Sequence, residues 1–357
     1  MKTLILGRTA FALGVALSAT NALAHHVAVD AQTGESGPIT VVSADTPAQG
    51  SVSFGTQLYV EDYDAFLDEE LEHFAEEGFE GVHNTDTAYV AKFSASYAVL
   101  DNLTVSAVLP YFIRDGIREA EHDHGSQGHG SHGHGSHGHG SAGHGGGTEI
   151  HTLGTAAGIG DLQIGAKYRL LDRREAPIGL ALIAGLSIPT GDVRERQNDG
   201  SRFETEFQPG TGSWDPRAGL AVSRSVGPIS LDASGVYTLR TEGSQDTNLG
   251  DHLAFGAAVS WRIGKGPHVH SDGTFERHDA LDLILEFNGE WEERERIDGV
   301  RDLNSGGTQL FLSPGARFVS SNGWNAYATV SIPVHDDLNG IQNETDMHLK
   351  LGLVVSL

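Results

Sequence analysis

The chain has 357 residues, no cysteine, 47 glycines and a formal net charge of −25, and 38% of it is hydrophobic. So negative a chain repels phosphate, which excludes nucleic acid as a partner, and without cysteine it has neither disulfides nor thiolate metal sites. Past the N-terminal leader no run approaches 18 apolar residues, which excludes membrane-spanning helices but not a β-barrel, whose strands are only half apolar.

The first residues read MKTLILGRTAFALGVALSATNALAHH. Lys2 and Arg8 precede a short apolar run, and Ala22-Leu23-Ala24 is a small-residue cleavage motif. This is the layout of a secretory signal peptide. The alternative, a membrane anchor, needs roughly 20 apolar residues, more than the run supplies. Residues 1–24 are therefore expected to be removed on export, leaving 25–49 as a flexible periplasmic segment.

From about residue 50 the chain is written in period two, the strand signal. In 161–170 Leu162, Ile164, Ala166, Tyr168 and Leu170 alternate with Asp161, Gln163, Gly165, Lys167 and Arg169. In 281–291 Leu281, Leu283, Leu285, Phe287 and Trp291 alternate with Asp282, Glu286, Asn288 and Glu290. A soluble sandwich would bury the apolar face; a membrane barrel would turn it to lipid and the polar face to the lumen. Segment length favours the barrel, because these run near or above the 9–11 residues that cross a bilayer at a tilt. Twelve segments are expected: 50–60, 86–99, 102–114, 158–171, 178–189, 214–226, 228–241, 251–263, 279–294, 307–319, 323–334 and 345–357. The links after segments two, four, six and ten are short, while 61–85, 115–157, 190–213 and 295–306 are long. Short periplasmic turns and long outer loops are the layout of an antiparallel up-and-down barrel in a bacterial outer membrane. The fold class is thus all-β, a membrane-spanning barrel of about twelve strands over 50–357.

Within the acidic outer loop 61–85, Phe66, Leu67, Leu71, Phe74 and Ala75 fall near helical spacing and predict a short helix. Pro110, Pro189 and Pro333 lie near segment ends and are expected at rims or bulges; Pro314 lies deeper, with no local reason for its place. The last residues, KLGLVVSL, resemble the C-terminal signal read by the outer-membrane barrel assembly machinery, with Leu357 where the final aromatic usually stands.

Four stretches, GIGDLQIGAKYRLL, GLSIPTGD, GTGSWDPRAGLAVSRSVGPISLDASGVY and LSPGARF, resemble a family of outer-membrane barrels named for the meta-pathway of phenol degradation. The similarity covers most of the chain from about residue 50. It implies an outer-membrane channel, linked in some members to uptake of small hydrophobic compounds, and transfers no substrate.

The His-rich tract is an insertion that this resemblance does not cover. The link 115–157 carries His122, His124, His129, His132, His134, His137, His139 and His144 among glycines and serines. As the link after an odd segment it is expected outside the cell. Neutral imidazoles on a pliant backbone bind Zn²⁺, Ni²⁺ or Cu²⁺ loosely; the alternative is a solvated spacer grown by repeat expansion. No cofactor is required by the barrel itself.

Alternation places Asp161, Lys167, Arg169, Arg217, Asp232, Arg240, Arg262, Asp282, Glu286, Glu290, Arg317 and Lys350 on the lumen side. Such residues tune selectivity whether they form closed ion-pair ladders or leave a wet path. The first functional expectation is a passive channel whose outer His-rich loop captures divalent metal, zinc first. The alternative is a diffusion channel for small hydrophobic or aromatic compounds, with the tract incidental. An enzyme is not expected, because no nucleophile-elbow motif is present, and a purely structural barrel stands behind both channel readings. The expected partners are outer-membrane lipid, the assembly machinery and metal ions or small solutes.

Overall fold

The computed structural model describes residues 38–79, 82–122, 148–264, 268–269, 275–276 and 278–357. Its barrel strands are β1 (Val52–Asp64), β2 (Thr87–Leu100), β3 (Leu103–His122), β4 (Thr148–Ile159 and Leu162–Leu171), β5 (Gly179–Ile188), β6 (Asp215–Val226), β7 (Ile229–Thr238), β8 (His252–Gly264), β9 (Ala280–Glu292), β10 (Gly307–Val319), β11 (Trp324–Leu338) and β12 (Glu344–Ser356). Each pairs antiparallel with its neighbour in sequence, and β1 pairs back onto β12 from Ser53 opposite Ser356 to Asp64 opposite Glu344. The sheet is a closed twelve-strand barrel with no free edge. All twelve expected segments are present.

The alternation has the sense of a membrane barrel. On β9 the outward Leu281, Leu283, Leu285 and Phe287 are exposed, while the inward Asp282, Glu286 and Asn288 are buried. Trp214, Trp261, Trp291, Trp324 and Tyr111 are exposed as a girdle requires; Phe112, adjacent to Tyr111, turns inward against Tyr59 and Val90. A soluble sandwich would reverse this order, with the leucines inside.

The prolines fall where a donor is not needed. Pro110 faces the break in β4 at Gly160 and Asp161, Pro189 follows the end of β5, and Pro333 borders the register shift between β10 and β11. Pro314 sits where the β10–β11 ladder opens, between the Leu312–Ile332 and Gly315–Thr329 pairs, so its missing N–H breaks no bond to β11.

Three features differ from the sequence expectation. β3 and β4 stay paired out to His122 opposite Thr148, so strand replaces much of the expected 115–157 loop. The helix of the acidic loop is α1 (Asp68–Glu76); Phe66, Leu71 and Ala75 bury against Val82 and Ala120, but Leu67 precedes the helix as its N-cap and is exposed. The third difference is the largest. Of the segment 25–49, expected as a flexible periplasmic tail, residues 38–44 run inside the barrel, with Ile39, Val41, Val42 and Ala44 buried. Residues 1–37, and with them the expected cleavage site, lie outside the described residues.

Candidate functional site in the barrel lumen

The strap formed by residues 38–46 enters from the short-turn rim, where Thr46, and Gln49 in the joint that follows, hydrogen-bond Asp101 in the β2–β3 turn. It then runs around the inner wall from β6 to β10. Ala44 N–H donates to Ser223 Oγ at 2.8 Å, and Val42 N–H to Ser234 Oγ at 2.9 Å. At its top Glu286 accepts three successive backbone N–H groups, from Ile39 at 2.7 Å, Thr40 at 2.9 Å and Val41 at 3.2 Å. Arg317 donates to the Pro38 carbonyl at 2.7 Å, Lys167 to the Ser43 carbonyl at 3.0 Å, and Lys350 to Thr40 Oγ1 at 3.1 Å. Two inward glycines make room for it. A Cβ on Gly315 would stand 2.8 Å from Ile39, and one on Gly256 2.8 Å from Val41. A strap with no strand partner of its own thus has its donors met by side chains of the wall, as a buried backbone requires.

Above the strap lies a cavity walled by Val41, Val42 and Ile183 on its apolar side and by Lys167, Arg217, Lys350 and Glu290 on its charged side. It encloses about 90 Å³, well short of the ~300 Å³ at which small-molecule pockets begin. As it stands, this cavity is too small for an aromatic solute.

The twelve expected lumen residues separate into three groups. Glu286, Arg317, Lys167 and Lys350 hold the strap; Arg217, bonded to Gln163 at 2.9 Å, and Glu290 complete the cavity. Near the short-turn rim, Arg262 forks onto Asp282 with both contacts at 2.7 Å, Arg169 lies 3.2 Å from Asp172, and Asp232 accepts from Ser223 and Ser230. The last two serve the outer closure. Asp161 accepts from Gly191 N–H at 2.8 Å and from both the N–H and Oγ1 of Thr211, which folds the 189–214 link inward. Arg240 lies beyond the end of β7 and pairs with Glu292 at 2.9 Å.

That inward link carries Phe203 and Phe207, buried against Ile117, Leu153 and Ala156, while Arg114 donates to the carbonyls of Phe207 and Gln208. Alternation along β1 and β2 would also have found Tyr59, Glu61 and Lys92. Glu61 bonds His348 at 2.9 Å, and the Lys92 and Lys350 ammonium groups sit 5.4 and 5.3 Å from the Tyr59 ring centre. Of the expected metal-binding histidines, His122 is the last residue of β3; His124, His129, His132, His134, His137, His139 and His144 lie outside the described residues.

The family model described as "Putative MetA-pathway of phenol degradation" matches residues 95–332. Among solved structures, the COG4313 outer membrane channel from Pseudomonas putida F1 is similar at a TM-score of 0.55 and 14% identity, over 88% of this chain and 98% of that one. The beta domain of the Bordetella autotransporter BrkA aligns at a TM-score of 0.42 and 10% identity, over 87% of this chain and 100% of that one. No curated protein sequence matches the chain.

Proposed function

The chain belongs to that phenol-degradation family of outer-membrane barrels, and from this premise we propose that it is a passive channel for small hydrophobic or aromatic compounds, closed by the strap of residues 38–46. The observation that carries the reading is the cavity above the strap. Its wall joins an apolar side to a cationic one, and an aromatic ring bearing a hydroxyl or carboxylate satisfies both. The polar clamp on the strap supports gating, since bonds of this kind exchange with water, at a net cost of about 1 kcal/mol each for the serine contacts and about 1.5–3 kcal/mol where a charged group takes part.

The same wall argues against ranking metal passage first. Lys167, Arg217 and Lys350 face the cavity against Glu290, and a dication entering that space meets net positive charge at low dielectric. The solute reading therefore replaces zinc flux as the main one.

The test is uptake of radiolabelled hydroxybenzoate into proteoliposomes holding the mature chain or its Glu286→Gln variant. Flux above protein-free vesicles is expected for both, and faster with the variant, while sucrose stays out. If neither chain passes the aromatic acid, the channel reading fails. If both pass it at one rate, the strap is not the gate.

A further inference from the structure

We propose that His83, Glu204 and Glu206 bind one divalent transition-metal ion at the outer mouth of the barrel, with Glu119 orienting the imidazole from behind. None of these residues lines the lumen cavity.

The backbone places His83. Residues His83–Asn84 form a two-residue strand on β3, with His83 opposite Glu119. His83 Nε2 is 2.8 Å from the Glu119 carboxylate, and Nδ1 faces Glu206 Oε1 at 3.4 Å. One ligand atom each from His83, Glu204 and Glu206 lie within 4.8 Å of one another. On a tetrahedral ion with bonds of ~2.0–2.2 Å, ligand atoms stand about 3.4 Å apart. The Nδ1–Oε1 separation already has that value, and rotation of Glu204 closes the third side. An imidazole that gives one nitrogen to a carboxylate and turns the other toward open ligands is the arrangement that fixes tautomer and ring angle at metal sites. His83 is further held by burial and by edge-on contact with Phe207 at 5.1 Å between ring centres. Glu204 is exposed, so an ion reaches the site from solvent.

The ligand set, one imidazole and two carboxylates, suits Zn²⁺ or Mn²⁺ better than Ca²⁺ or Mg²⁺, which favour oxygen ligands alone.

The test is calorimetric titration of Zn²⁺ into the detergent-purified full chain and into a chain whose residues 123–147 are replaced by a Gly/Ser linker of equal length. Heat-modifiable gel mobility reports an intact barrel in each variant. The linker chain is expected to bind one Zn²⁺ with proton release and to show one imidazole among oxygen ligands by X-ray absorption. Glu204→Gln, at an exposed position, should weaken binding at least ~10-fold and Glu119→Gln by roughly 10–100-fold; His83→Gln should abolish it. No stoichiometric binding by the linker chain, or unchanged binding in both Glu204→Gln and His83→Gln, overturns the site.

Discussion

At the short-turn end the lumen is filled by residues 38–46, held by Glu286, Arg317, Ser234 and Ser223. At the outer end it is filled by the 189–214 link, held by Phe203 and Phe207 against Ile117, Leu153 and Ala156. The lower filling is held mainly by polar bonds to wall side chains, with Val42 and Ala44 packed on Ala181 and Ala221. The upper is tied at both ends, to β5 and β6, and adds a cluster of buried rings to its polar bonds with Asp161 and Arg114. The contacts of the lower filling are mostly ones that water can exchange, whereas the upper one also buries aromatic rings.

The largest effect should come from cutting the lower closure at its strongest point. Glu286→Gln weakens bonds to three backbone N–H groups, each worth about 1.5–3 kcal/mol when the acceptor is charged. Protease or hydrogen-exchange protection of residues 38–46 should fall by roughly a thousandfold or more, with the outer link unchanged. Second in size, Phe203→Ala should loosen the outer link by about 3–5 kcal/mol, read as faster exchange over 189–214 with the strap still protected. If Phe203→Ala also frees the strap, the two closures are one unit and the contrast between them is wrong. Third, Asp161→Asn turns an amide group toward the donors of Gly191 and Thr211, costing about 1–3 kcal/mol in the same link. The smallest effect belongs to Asp172, in the β4–β5 turn. Bonds from Arg174 hold its carboxyl down at about 2. A depressed carboxylate contributes stability above its unfolded value and loses it as pH falls toward the folded one. Asp172→Asn should therefore leave the melting temperature flat between pH 5 and 8 relative to wild type in its pH profile, with the wild-type advantage shrinking only below ~4.

The barrel was legible because alternation is local: two faces of β9 are spelled out within thirteen residues. Inward charges such as Glu286 and Arg317 followed from the same rule. Their partners did not. Glu286 meets Ile39 across 247 positions of sequence, and no spacing rule connects them. The run ITVV at 39–42 was the available signal, since four such residues are out of place in a solvated tail. Asp161 was placed on the inner face by period, but its task depends on where a distant loop folds. His83 sits alone in VHNT, and Glu204 and Glu206 lie more than a hundred residues away, so only the folded outer mouth brings them together.

The joint between the strap and β1 spans only a few residues, with Gln49 tied to the turn at Asp101 and β1 starting at Val52. The strap is in effect a tethered competitor of whatever enters the cavity, present at a local concentration on the order of millimolar. A solute at micromolar levels opens few channels by displacing it. Lengthening the tether dilutes the strap only as roughly the −3/2 power of linker length, whereas changes at Glu286 act exponentially. On the proposed gating, the clamp, more than the hinge, sets the concentration at which conduction begins.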